Sequence, residues 1–281
     1  MNKELLSPPL GTLLPPGRMI TADEGDSDVA PLWLSDDAAS AGLWARLRAE
    51  HAATGWWPLL LDRLGPGDDE FRPWASGELN PEDMSSPEAH SPAQLLATWW
   101  EMYAQDEHAQ DGNGNGNGDG EAPRSPDGPP ALTAPFGLSW PGCAPGQEPA
   151  ADPDAAAAAF AQLFAARRPH LRLGLVAADR GADALTAVGW SGPANYDNDT
   201  AKYSAVVRDW ERRFGARVVA VGFATLHLSV AAPPTDKEDA LLVAAEHFAV
   251  CPDNLWQGSQ PSLDSYAEHL IGAGQWEFWW D

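Results

Sequence analysis

One stretch constrains this chain more than any other. From about Asp106 to Pro130 the sequence is a Gly/Asn alternation followed by Pro123, Pro126, Pro129 and Pro130. Such a segment cannot bury enough apolar area to offset its ordering entropy, so it reads as a flexible linker. It divides the chain into residues 1–105, an acidic α/β part, and residues 131–281, a C-terminal domain whose core spans 171–281.

The pattern on each side is readable. Before the linker, Ser35-Asp36-Asp37 looks like a helix start, with Leu43, Trp44 and Leu47 at helical spacing after it. The run from Gly55 to Leu64 reads as a buried strand, and Ser91-Pro92 opens a second helix. After it, Asp152-Pro153 opens an Ala-rich helix, and Leu171 to Ala178 reads as a strand. Asp183 to Val188 is a short helix, and a longer one from Asp199 to Phe214 carries the stripe Tyr203, Val206, Val207, Trp210 and Phe214. Arg217–Phe223 and Leu226–Ala232 form a hairpin. Thr235 with Glu238 reads as a capping box, Ser262 starts a last helix, and Gln275 to Trp280 closes as a strand.

The class is therefore α+β, and the C-terminal order β-α-β-β-α-β predicts a ferredoxin-like antiparallel sheet with helices on one face. In that arrangement Leu173, Leu175, Val219, Val221, Leu228 and Val230 point at the helices. Arg172, Gly174, Val218, Ala220, Gly222, His227 and Ser229 make a flat opposite face, covered by the N-terminal part or by a partner.

Charge narrows the partners. With 41 Asp+Glu against 17 Lys+Arg, the net charge of −24 argues against nucleic acid and against an anionic membrane. The excess is uneven: residues 1–164 hold 26 acidic and 7 basic side chains, and residues 165–281 hold 15 and 10. The N-terminus is broken by prolines and lacks a signal-peptide core, and two cysteines make no disulfide framework, so a cytoplasmic location is expected.

Several segments recur in a specific order: Gly189-Trp190-Ser191-Gly192 with Asn195; Trp210-Glu211-Arg212-Arg213-Phe214-Gly215; Ala245-Glu246-His247-Phe248; Cys251-Pro252-Asp253-Asn254; Gln257-Gly258; and Trp276-Glu277-Phe278-Trp279-Trp280. Over roughly Leu171–Asp281 these resemble the bacterial domain-of-unknown-function 4253 family, with Val250 where Phe or Tyr is expected. The resemblance implies membership of a family and no activity.

The residues themselves offer candidate sites, each with a plainer alternative. His247, Cys251 and Asp253 have the donor types zinc takes, with His227 or His269 as a further ligand; the alternative is a helix cap with a buried Cys, needing no cofactor. The loop with Trp190, Asn195, Tyr196 and Asp197 could bind a polar ligand, Trp190 stacking on it, and Asn254 and Gln257 join that ligand-binding set. The alternative is a connecting loop. Arg208 and Arg212, i,i+4 neighbours, could receive an acidic group, or could be a solvated face paired with Asp209 and Glu211. The tryptophan pairs 56/57, 99/100 and 279/280 read as core or as a ligand box. No catalytic set is complete. The leading expectation is a binding or interaction module, in one version an acidic, immunity-like protein that neutralises a partner with a basic patch. The alternatives are a metal-assisted hydrolase using His247, Cys251 and Asp253, and a small-ligand sensor using the Trp190–Asp197 loop.

Overall fold

The structure, a computed structural model, describes residues 14–23, 30–40, 42–112 and 132–281, with backbone alone for 108–112. Of the expected linker, residues 106–112 continue a helix, and 113–130 lie outside the described residues. The chain forms two compact units, each discontinuous in sequence: Met1–His90, Gly146–Ala232 and Gly274–Asp281 in one, Ser91–Pro145 and Pro233–Ala273 in the other. The division into residues 1–105 and 131–281 does not coincide with them, because strands from both sides of the linker share one sheet.

That sheet belongs to the first unit. Its strands are β1 (Gly17–Ile20), β2 (Leu32–Ala38), β3 (Trp56–Leu61), β4 (Arg172–Ala177), β5 (Ala216–Val221), β6 (Thr225–Val230) and β7 (Gln275–Trp279), in the order β1-β2-β4-β3-β5-β6-β7. The class is α+β as expected. The ferredoxin-like strand order is not adopted: it would set β4 between β6 and β7, whereas β6 pairs with β7 directly and β4 pairs with β2 and β3. Strand β3 runs antiparallel to β4 and parallel to β5, so the sheet is mixed. The reason is in β3 itself: after its first residue every position is buried, and a strand apolar on all sides needs partners at both edges and cover on both faces. Pro58 is tolerated inside this strand because the ladder to β5 pairs only Leu60 with Ala220 and Leu61 with Val221. Short of that ladder Trp57 supplies a link, its Nε1 donating to the Val218 carbonyl at 3.1 Å.

The register fixes what each face carries. Leu173, Leu60, Ala220, His227 and Glu277 form one row across β4, β3, β5, β6 and β7. This face is covered by α1 (Leu43–Thr54) and α3 (Pro153–Arg167). On the other face, α4 (Gly181–Ala187) packs beside α5 (Thr200–Phe214). There Trp210 stacks on Phe278, ring centroids 5.3 Å apart, and meets Trp276 edge-on at 5.5 Å. Helices thus cover both faces, not one. The expected flat face is also divided: Ala220 and His227 lie on the α1/α3 side, whereas Arg172 and Gly174 lie on the other. The intervening strand and a register shift between Val218 and Ala220 set that phase.

Local signals explain several helix ends. Asp152 accepts from the Ala155 N–H, Asp199 from Ala201, and Gly215 ends α5 at φ 58°, a left-handed conformation that suits glycine. Ser35-Asp36-Asp37 is no helix start but the end of β2. The Ser35 hydroxyl accepts from the Leu173 N–H and donates to the Asp37 carbonyl, serving the irregular junction with β4.

The second unit is helical: α2 (Pro92–Gly112), α6 (Lys237–Val250), α7 (Asp253–Trp256) and α8 (Leu263–Leu270). The cap of α6 is Asp236, which accepts from Asp239 N–H at 3.0 Å, in place of Thr235 with Glu238. Its centre is aromatic, with Trp100 ringed by Phe136, Trp140 and Phe248 at 5.6–6.1 Å. Among the described residues no helix is long and apolar enough to cross a membrane.

Trp210→Ala should cost about 3–5 kcal/mol, because it empties a fully buried ring site against Phe278 and Trp276. Urea unfolding of this variant, beside the exposed control Leu64→Ala, checks the value; the control should stay within about 0.5 kcal/mol of the parent.

Candidate functional site

The expected zinc cluster folds into a different object. Helix α6 ends at Val250, and Cys251 takes the capping position at φ −145°, its N–H donating to the His247 carbonyl. A helical i,i+4 face therefore does not extend from His247 to Cys251. The side chains instead bond to neighbours. His247 Nδ1 lies 3.0 Å from the Tyr266 hydroxyl, which also accepts from Asn254 Nδ2 at 3.2 Å. Cys251 Sγ donates to Asn254 Oδ1 at 3.4 Å, and Gln257 Nε2 donates to Asp253 Oδ1 at 3.0 Å. Beside them the fully buried Glu246 accepts from the Ala144 N–H at 2.7 Å. Among the described residues no three His, Cys, Asp or Glu side chains converge to hold a metal ion. His227 belongs to the sheet unit, and His269 Nδ1 faces the Ser265 carbonyl at 2.8 Å. The cluster holds α6, α7 and α8 together through a buried polar network.

The Trp190 loop is also tied inward. Trp190 is fully buried, its Nε1 donating to the Gly222 and Phe223 carbonyls at 2.9 and 3.1 Å and its ring edge-on to Trp280. It is no stacking platform for a ligand. Asn195 Nδ2 donates to the Asp281 carbonyl at 2.7 Å, and the Tyr196 N–H closes a turn onto Pro193. Asp197 pairs with Lys202 at 2.6 Å and accepts from the Asp199 N–H. These contacts fasten the loop to the chain end and to the start of α5.

The arginines of α5 behave differently. Arg208, Glu211 and Arg212 line a cleft of about 310 Å³ in the sheet unit, together with Arg48 and His51 of α1, Trp57 of β3, Asp179 and Arg180 from the β4–α4 connection, and Arg217 of β5. The cleft lies where the β3–β5 ladder stops: Trp57 and Arg217 both precede the paired residues of their strands.

Carboxylates behind the lining hold the arginines in place. Asp154 accepts from Arg48 Nη2 at 2.8 Å and from Arg217 Nε at 2.9 Å. Arg208 pairs with Asp183 and with Glu88, the latter at 2.6 Å, and Arg180 lies 3.8 Å from Asp183. Arg212 pairs with Asp209 as expected. The Arg48 guanidinium sits 4.4 Å over the Trp57 ring, and its Nε is buried with no hydrogen-bond partner among the described residues. His51 Nε2 donates to the Ala178 carbonyl at 2.8 Å, which leaves Nδ1 as an acceptor.

Glu211 is the chemically distinctive member. Its Oε1 accepts from the Ala182 N–H in the first turn of α4 at 3.1 Å. Burial pushes its pKa up to about 7, even though the Ala182 hydrogen bond and the charges of Arg217 and Arg180 pull the other way. Glu211 is thus a proton donor or acceptor near neutral pH, set beside five arginines that offer planar donor forks to an oxyanion. Sequence reading had isolated Arg208 and Arg212 alone. Glu211 enters the sequence reading only as a partner on a solvated face, and Arg48, His51, Trp57, Arg180 and Arg217 come from four other elements and carry no shared local signal.

Residues 172–281 match the family model described as Domain of unknown function (DUF4253), which the sequence resemblance implied. That span includes Arg180, Arg208, Glu211, Arg212 and Arg217, whereas Arg48, His51 and Trp57 lie outside it. No curated protein and no solved structure matches the chain.

The raised Glu211 pKa fixes a pH dependence. The folded state holds this proton more tightly than the unfolded chain, whose carboxyl titrates near 4.5. Stability at this position is therefore full below about pH 4.5 and is lost as pH rises toward 7, by about 3 kcal/mol. Glu211→Gln removes the loss, so urea unfolding from pH 4.5 to 8 should show the variant gaining on the parent across that window.

Proposed function

We propose that the chain is a binding module whose ligand is a small oxyanion, a phosphate or polycarboxylate, held in the arginine cleft. The observation that carries this reading is five arginines around one cavity, with a carboxyl poised near neutrality among them, in a chain of net charge −24. Arginine forks bind phosphate and carboxylate oxygens in pairs, and the carboxylates behind them reduce the freedom lost on binding. Protonated Glu211 can donate a hydrogen bond to a ligand oxygen, whereas the ionised form repels the ligand. Binding then takes up a proton, and affinity falls as pH rises through about 7.

Calorimetry with inorganic pyrophosphate and with citrate tests this reading and distinguishes the two oxyanion classes. Arg180→Gln with Arg212→Gln changes largely exposed side chains at the rim. This pair should weaken binding about tenfold or more, which is at least about 1.4 kcal/mol. Proton uptake, read from the dependence of the heat on buffer, should vanish in Glu211→Gln. Failure of both anions to bind sinks the reading.

A second reading follows from the charge distribution. Residues 1–164 carry 26 acidic against 7 basic side chains, which supports an interaction module, immunity-like in one version, that neutralises a partner with a basic patch. Capture from native lysate should recover a basic protein that high salt releases; recovery of none, or of partners indifferent to salt, counts against it.

A further inference from the structure

We propose that a second groove, formed by α3 against β6 and β7, binds an aromatic monocarboxylate, with Arg167 and Arg168 meeting the charge and His227 supplying a hydrogen bond. The groove has a volume of about 520 Å³ and lies in the sheet unit. This falls within the range of about 300–1,000 Å³ usual for small-molecule sites.

Three features point to that ligand. The first is the wall. Phe160 and Leu163 of α3 face the groove, and Leu163 is 61% exposed, an apolar rim over a concave surface. A flat aromatic ring fits between such side chains better than a polar solute does.

The second is the charge. Arg167 and Arg168 stand at the end of α3, and among the described residues neither has a carboxylate within ion-pairing distance. Most arginines among the described residues have a carboxylate partner, and these two, side by side at one groove, do not. Arg168 is held in place by Phe164, its guanidinium 4.0 Å over the ring. Glu277 also lines the groove and offsets one of the two positive charges. The remaining single positive charge suits a monoanion better than a dianion.

The third is the floor. His227 is 4% exposed, its ring 4.6 Å from that of Phe164, yet among the described residues neither ring nitrogen has a hydrogen-bond partner. Glu277 Oε2, at 3.8 Å from Nδ1, is too far to accept. Burial, helped by the charge of Arg168, presses the His227 pKa down to about 3. The ring is therefore neutral, with one donor and one acceptor nitrogen, and His227 lines the groove. A ligand oxygen in the groove would accept from the donor nitrogen.

The inference is independent of the arginine cleft, and Arg212 of that cleft enters its test only to show that the ligand does not bind there. Calorimetry of the full chain at neutral pH would use 2-naphthoate and its uncharged counterpart 2-naphthamide. The carboxylate should bind, and the amide at least about tenfold more weakly. Arg167→Gln with Arg168→Gln, and separately Leu163→Asp, should each weaken 2-naphthoate at least about tenfold, whereas Glu277→Gln should tighten it and Arg212→Gln should leave it unchanged. The ring ¹⁵N resonances of His227 should shift on binding. The substitutions at Leu163, Arg167, Arg168 and Glu277 fall on side chains that line the groove, and thermal unfolding verifies that each variant is folded. Equal affinity for acid and amide, 2-naphthoate affinity indifferent to the arginine pair, static His227 resonances, or no binding at millimolar concentration would each overturn the inference.

Discussion

The sheet unit depends on burying β3. A strand of sequence WWPLLL cannot stand at an edge, since its apolar side chains on both faces and its backbone groups all require partners. Its place between β4 and β5 satisfies that requirement and determines the rest of the unit. It draws the N-terminal strands into the sheet of the family-like domain. It takes the place beside β4 that β6 or β7 would hold in a ferredoxin-like order. It also fixes the phase of the face rows, so that Leu173 and His227 share one side of the sheet.

The arginine cleft is a direct consequence. A parallel pair joined at only two positions leaves the start of both strands apart, and the cleft occupies that opening. Trp57 spans it with one indole hydrogen bond, and Arg48 stacks on the same ring. Because β3 follows α1 directly, its insertion brings Arg48 and His51 beside Arg180, Arg208 and Arg217 from far along the chain. Electrostatics and burial then act together. Glu211 is pushed toward neutrality by loss of solvent, and the arginines around it are kept charged and oriented by Asp154, Asp183 and Asp209. The same logic, without the retaining carboxylates, governs Arg167 and Arg168 at the second groove.

Much of the local structure could be read directly from the chain. Pro92 and Pro153 at helix starts, Asp152, Asp199 and Ser262 as caps, Gly215 as a stop and the β5–β6 hairpin all depend on neighbouring residues alone. Errors arose where a local signal had a tertiary competitor. Ser35-Asp36-Asp37 has the composition of a cap, but Ser35 is used across strands by Leu173. His247 and Cys251 have the spacing of a ligand pair, but the helix ends between them and Tyr266 and Asn254 take up their side chains. Trp190 has the look of an exposed platform in a polar loop, yet its indole reaches the Gly222 and Phe223 carbonyls.

Legible in the chain alone are the α+β class, most of the elements, the family likeness of residues 172–281 and the concentration of negative charge toward the N-terminal side. These rest on periodicity, capping and composition, which are properties of a few consecutive residues or of their sum. The strand order, the covering of both sheet faces, the gathering of distant arginines around Glu211 and the placing of Arg167 and Arg168 at one groove with His227 emerge only in three dimensions. The physical reason is that a strand's neighbours, and the phase of its side chains relative to theirs, are chosen by which pairing buries every apolar face at once. No short window of sequence contains that comparison.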